Sequence, residues 1–381
     1  MSGYPPAVVS VFGINPIRIG GNETFARELS LQLERVGWKS VLCMLDQPPE
    51  TVRQFLDLPN VQLETFSSIP VSGRSTMELG KILHRHRPRI LHLHFVDLIS
   101  PYPWLGKLYG AGKIFFTDQS SPRENSKPKL LPVWKRSLAR FINAPMTKVI
   151  SVSEYKRSFL AGLGTLPVSR QMCIYNAVDL SRIPADGAAA SGFRRRFGIP
   201  EDRRLIVQVS MIIPEKGIAD LLDAARIVVA EDASAHFVLV GEGAGRAEFE
   251  RKAEAMGIKD HVTFTGQILD PCNEGVFAAA ALICQVSRWQ EAFGWVIAEG
   301  MAFGKPLVGT RVGGIPELIE DGVTGYLAGR GDSRQIAAFI LSLLHDPSAC
   351  ERMGRAGRLA VEKKFNLRNN VVQLMEVYGL R

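Results

Sequence analysis

Long hydrophobic runs are missing from this chain. The longest uncharged apolar stretch, Val276 to Cys284, is about half of what a helix needs to cross a bilayer. The sequence opens with MSGYPP and passes straight into the strand-like AVVSVFG, without the basic region and apolar core of a secretory signal. A soluble cytoplasmic protein is expected, with membrane association confined to its surface. Cysteine is sparse: Cys43, Cys173, Cys272, Cys284 and Cys350 form no CxxC pair and no metal-ligand spacing. That argues against a disulfide framework and predicts no structural metal. Zinc-finger, RNP and helix-turn-helix signals are also absent, so nucleic acid is not an expected partner.

With 381 residues, 46% of them hydrophobic, the chain can fill two cores of ordinary size. Strand-like runs alternate with amphipathic helical runs in both halves. AVVSVFGI, SVLCML, ILHLHFV, KIFFTD and KVISVS fall in the first half, and LIVQVSMI, HFVLVGEG, VTFTG, ALICQVS and PLVGTRV in the second. Such alternation predicts an α/β fold with parallel sheets covered by helices on both faces. Between the halves DLSRIPADGAAASG reads as a linker starting near Asp179. The expected arrangement is an N-terminal Rossmann-like domain over 1–180 and a second over 181–365, facing each other across a cleft, followed by a helix over 366–381.

A formal charge of +8 is compatible with nucleic acid, an anionic membrane or anionic small ligands, and its distribution is more informative than its total. Basic residues concentrate in 123–157: Arg123, Lys127, Lys129, Lys135, Arg136, Arg140, Lys148, Lys156 and Arg157, interrupted by Leu138, Phe141 and Ile142. Two readings stay open. The segment lies on a membrane surface, or it is an ordinary helix whose apolar side joins the core.

The densest group of chemically useful residues lies in 287–327. Glu291 and Glu299 flank a glycine-opened apolar helix begun by Phe293 and Gly294, and GKPLV and GGIPE follow as a buried strand and a turn. A helix start offers unpaired N–H groups to a phosphate, and Gly294 permits close approach. Spacing alone is not the signal, because Glu242 and Glu250 repeat it where a turn and a solvated helix face suffice. Gly20 and Gly21 likewise precede a helix after the first strand, and Lys216 in IIPEKG sits at a strand–helix junction within reach of phosphates. In ILHLHFVD, His92 and His94 face one side of a strand; hydrogen-bonded histidines are favoured over zinc ligands because no third ligand is near. Asp97 follows as an acceptor-orienting or turn-capping carboxylate.

Taken in order, GGNETF, ILHLHFVD, VISVSEY, IYNAVDL, PEKGIADLL, FVLVGEG, VTFTG, EAFGWVIAEGMA and GGIPELIEDGVTGYL resemble the family 4 glycosyltransferases over nearly the whole chain. The resemblance implies the GT-B fold, with the closing helix crossing back to the first domain. It implies a retaining transferase that moves a sugar from a nucleotide-diphosphate sugar to a carbohydrate or lipid-linked carbohydrate, with no metal or other cofactor. Glu291 is then a donor-site residue with a catalytic contribution. Glu299 faces the ribose diol, Ala292, Phe293 and Gly294 the donor, Lys216 the diphosphate, and the backbone around Gln267 and Ile268 the base. His94, Asp97 and Ser153 fall on the acceptor side.

Two positions depart from the family pattern. Met211 stands where an Arg usually pairs with the diphosphate, and Gln119 where a His usually follows the fourth strand-like run. Gln119 still donates a hydrogen bond but exchanges no proton near neutral pH. Arg18 or Arg288 is expected to supply the missing charge. Two other functions stay open: a nucleotide-sugar epimerase, and a degenerate member that serves as a nucleotide-binding scaffold.

Overall fold

The computed structural model describes residues 5–66, 71–122, 130–183 and 188–381. Arg123, Lys127 and Lys129 of the basic segment, and residues 184–187 of the expected linker, lie outside them. The chain forms two compact units. The first comprises 1–120, 127–176 and 367–381, and the second 121–126 and 177–366.

The first unit carries seven parallel strands: β1 (Ala7–Phe12), β2 (Lys39–Met44), β3 (Val61–Thr65), β4 (Ile90–His94), β5 (Lys113–Asp118), β6 (Lys148–Ser151) and β7 (Gln171–Cys173). Their order is β3-β2-β1-β4-β5-β6-β7, so the winding reverses between β1 and β4. Val9, Val11, Leu91, Leu93 and Ile114 are wholly buried, as strands covered on both faces require. The Leu367–Tyr378 helix belongs to this unit and packs on the Gly21–Arg35 helix. Its anchors are Asn370, which donates to the Tyr175 carbonyl, and Tyr378, whose carbonyl accepts from Lys113 at 2.6 Å.

The second unit holds β8 (Arg204–Val209), β9 (Ala235–Val240), β10 (Val262–Gly266), β11 (Ala280–Gln285), β12 (Leu307–Thr310) and β13 (Gly325–Ala328). These are parallel in the order β10-β9-β8-β11-β12-β13, with the reversal between β8 and β11. The Ile218–Glu231 and Ser333–His345 helices bury Leu221, Leu222, Ile336 and Ile340 on this sheet. In open α/β sheets the carboxyl ends beside such reversals are where ligands bind. That singles out the loops after β1 and β4 in one unit, and after β8 and β11 in the other.

The structure corrects the linker expectation. AAASG is not extended: it begins the Ala188–Arg196 helix, in which Phe193 is buried and holds the helix against its unit. Three strands not expected from the sequence, β3, β7 and β13, are short and lie at sheet edges. Among the described residues no helix is long and apolar enough to cross a membrane.

Candidate active site

In the second unit the loops after β8 and β11 are fastened to each other through their backbones. The Glu215 carbonyl accepts from the N–H groups of Arg288 and Trp289 at 2.9 and 3.0 Å, and Gln208 at the end of β8 bridges the Lys216 carbonyl and the Val286 N–H. Gly217 makes this possible. It has φ +71, and a β-carbon there would lie 1.9 Å from the Val286 carbonyl oxygen. This brings Lys216 onto Glu291, with Nζ 2.7 Å from Oε1 and both side chains largely buried. The ammonium also stands 5.7 Å from the centre of the Trp289 ring.

GGIPE locks the other side of Glu291. Gly314 N–H donates to the Glu291 carbonyl at 2.8 Å, and Gly313 N–H to Gln290 Oε1 at 2.9 Å. Gly313 has φ +54, and a β-carbon there would sit 2.1 Å from the Glu291 carbonyl oxygen. The Ala292 N–H donates to Ser121 Oγ, a residue that belongs to this unit. Helix onset falls later than expected: the helix is Trp295–Ala302 with Gly294 as its N-cap at φ 121, because that backbone excludes Phe293 and Gly294 from helical geometry. Glu299 is half-buried in its second turn. Gln267 is exposed and Ile268 buried just beyond β10, where the Gly266 carbonyl accepts from Gly241 of the GEGAG turn.

The Arg288 expectation is not supported by its geometry. Nε and Nη2 fork onto Asp220 at 2.7 and 2.6 Å, so the guanidinium anchors the Ile218–Glu231 helix instead of offering a free phosphate contact. Met211 is 55% exposed after β8. Glu242 and Glu250 both pair with Arg246 at an exposed surface, as befits a solvated face.

The first unit places its residues differently. Gly20 is the N-cap of the Gly21–Arg35 helix, and its N–H donates to Glu23 Oε2. Arg18, exposed just before it, has no ion pair among the described residues. Gly13 N–H donates to the His94 carbonyl, which joins the loops at the reversal. His92 is bonded on both ring nitrogens, to Tyr378 Oη at 2.5 Å and Thr117 Oγ1 at 2.7 Å. His94, expected to be hydrogen-bonded, has no partner for either nitrogen among the described residues; it is wholly buried and stacked on Phe12 at 4.6 Å. Burial drives its pKa down to about 3, which keeps the ring neutral. Ser153 is a buried N-cap: its Oγ accepts from the Lys156 N–H. Asp97 is exposed, and Gln119 has a buried Oε1 without a partner among the described residues.

One feature beside Gln119 escaped the sequence reading. Lys156 and Asp118, both buried, form an ion pair at 3.1 Å, and Ser120 Oγ donates to Asp118 at 2.8 Å. The signal was present but faint: Lys156 follows the capping Ser153 by three residues, and Asp118 ends β5. Among the described residues no group of three His, Cys, Asp or Glu is placed to hold a metal.

Comparisons with known proteins agree with this architecture. A family model described as Glycosyltransferase Family 4 matches residues 19–182, and one described as Glycosyl transferases group 1 matches 191–360. The chain is 30% identical over 259 residues to a GDP-mannose-dependent alpha-(1-6)-phosphatidylinositol monomannoside mannosyltransferase of Mycolicibacterium smegmatis, covering 66% of this chain and 67% of that one. It is 29% identical to the alpha-D-kanosaminyltransferase of Streptomyces kanamyceticus, over 60% of this chain and 59% of the relative. The matches thus span about half to two thirds of the lengths of such curated relatives. The crystal structure of Anabaena Alr3699/HepE in complex with UDP and glucose superposes with a TM-score of 0.78 at 18% identity, covering 98% of this chain and 99% of that one.

Proposed function

The chain belongs to the family 4 glycosyltransferases, and from that premise we propose that it transfers a sugar, with retention of anomeric configuration, from a nucleotide-diphosphate sugar to a carbohydrate or lipid-linked carbohydrate in polysaccharide or glycoconjugate biosynthesis. The observation that carries this reading is the buried Lys216–Glu291 pair, 2.7 Å apart at the carboxyl ends of β8 and β11. A largely buried ammonium beside a helix start is suited to neutralising a departing diphosphate without a metal. Glu291 offers the second carboxylate oxygen to donor-sugar hydroxyls, and Glu299 suits a vicinal diol through its two oxygens. With no proton-exchanging side chain at Gln119, the route that fits is front-face attack, in which the leaving phosphate takes the acceptor hydroxyl's proton. The C–O bond to the acceptor then forms on the face from which the phosphate departs.

Met211 and Gln119 favour one competing reading, a member that no longer transfers sugar. Thermal unfolding with UDP, GDP, ADP, TDP and CMP, for wild type and Glu299→Ala, tests the donor site, and release of the nucleoside diphosphate from the matching nucleotide sugar separates a transferase from a scaffold that only binds. A ligand at about a hundred times its Kd adds about 2.7 kcal/mol of stability. UDP and GDP come first, because the Anabaena structure holds UDP and the mycobacterial relative is named for GDP-mannose. Stabilisation by one diphosphate, weakened in Glu299→Ala, is the expected result. No response to any of the five would sink the transferase reading.

A further inference from the structure

The Val133–Ile142 helix, VWKRSLARFI, buries one residue, Ala139. Its apolar side therefore does not join the core. Trp134, Leu138 and Phe141 recur at i, i+4 and i+7, which places them on one side of the helix, and they are 64%, 52% and 66% exposed. The stripe continues onto the Tyr102–Leu108 helix of the same unit. Trp104 meets Phe141 with ring centres 5.5 Å apart and donates its Nε1–H to the Phe141 carbonyl. One turn further on, Leu108 is 75% exposed. Monomeric proteins seldom leave so long an apolar ridge in water.

The flanking charge is of one sign. Lys135 and Arg140 are exposed beside the stripe, Lys135 over the Trp134 ring at 5.3 Å, and no Asp or Glu occurs between Glu124 and Glu154. Tryptophan and phenylalanine bordered by cations match the boundary between acyl chains and anionic headgroups. A protein partner of ordinary composition would have to meet this ridge with carboxylates set among apolar groups.

We propose that this ridge, Trp134–Leu138–Phe141 with Trp104 and Leu108, seats the first unit on an anionic lipid surface, with Lys135 and Arg140 at headgroup level. This deepens the lipid-linked acceptor within the proposed function, yet it can fail without that function failing. The test is flotation of the whole chain with vesicles of phosphatidylcholine alone or mixed with phosphatidylglycerol, at low and high salt. Binding is expected to the anionic vesicles and to weaken with salt. Lys135→Ala with Arg140→Ala is expected to reduce partitioning about thirtyfold, from about fivefold per cation near such a surface. Trp134→Ala with Phe141→Ala is expected to abolish the salt-resistant part. All four side chains are exposed, so folding should be unaffected, and the nucleotide-induced thermal shift serves as control. Equal binding to both vesicle types, variants that bind like wild type, or self-association in lipid-free solution that Trp134→Ala with Phe141→Ala abolishes would overturn the proposal. A lost nucleotide response with intact vesicle binding would count against the transferase reading alone.

Discussion

The carboxyl ends of the two sheets solve one problem, holding irregular loops in place beside a reversal of winding, with different chemistry. In the second unit the loops are pressed backbone to backbone. Gly217, Gly241 and Gly313 have positive φ, and a β-carbon at each would fall about 2 Å from a carbonyl oxygen of a neighbouring loop. In the first unit the loops rest on buried polar side chains: His92 bonded to Tyr378 and Thr117, His94 stacked on Phe12, and Lys156 paired with Asp118. Backbone contact fixes atoms through packing that cannot be relaxed. A buried polar set fixes them through hydrogen bonds and charge, and so is sensitive to protonation.

The sharpest way to break this comparison is to add one carbon. Gly313→Ala is expected to cost over about 4 kcal/mol, at the exceptional end for single substitutions, because strain at φ +54 adds to collision with Glu291. Gly37→Ala in the first unit is its partner experiment: φ is +73 but nothing lies within 4 Å of the added carbon, so only the left-handed penalty of about 1 kcal/mol applies. Urea midpoints of the two variants measure the difference. Equal shifts would mean that the second unit's loops move apart freely, and the contrast between the units would be lost.

Protonation tests the other side. His94 has a folded pKa of about 3 against an ordinary 6.5. Between those values the unfolded chain holds a proton that the folded chain does not, so stability falls as pH drops below about 6.5. At one proton the slope is about 1.4 kcal/mol per pH unit, or about 2 kcal/mol by pH 5. His94→Leu, of similar size and with nothing to protonate, is expected to remove that share of the acid sensitivity. Urea midpoints at pH 7 and pH 5 that fall equally in wild type and variant would refute the assignment.

The difference in construction also explains what could be read in the sequence. Central strands such as ILHLHFV and HFVLVGEG are continuous apolar runs and announce themselves; of the edge strands only VTFTG, β10, does. VQLET is half-exposed, QMC has three residues, and GYLA opens on a glycine, so each lacks the period or length that marks a strand. The meeting of the second unit's loops was legible because PEKG, EAFG and GGIPE all carry glycine next to strand ends. Sequence did not reveal that Arg288 would turn to Asp220, since the partner lies 68 residues away. His94 without a hydrogen bond and Lys156 on Asp118 were hidden for the same reason: both depend on neighbours from other strands. The Val133–Ile142 helix was ambiguous, because an amphipathic period states that one side is apolar and leaves open what covers it.

The charges of the second unit give the smallest and most specific test. Its two site cations are already paired, Lys216 with Glu291 and Arg288 with Asp220, while Met211 occupies the exposed position where the family usually carries Arg. In the first unit Arg18 is exposed and has no ion pair among the described residues. If the second unit lacks a free guanidinium for a diphosphate, Met211→Arg should provide one. A charge-assisted contact partly offset by side-chain ordering is worth about 1.4 kcal/mol, or about tenfold in the Kd of the preferred nucleoside diphosphate. Met211→Lys should gain less, since an ammonium does not fork onto two phosphate oxygens. Titration calorimetry of the three proteins decides the matter, with Arg18→Ala as the reciprocal experiment. A gain at position 211 with no loss at Arg18 would mean that the donor is held by the second unit alone. An unchanged Kd in Met211→Arg would show that the diphosphate does not reach the loop after β8, and the role given to Lys216 would fall with it.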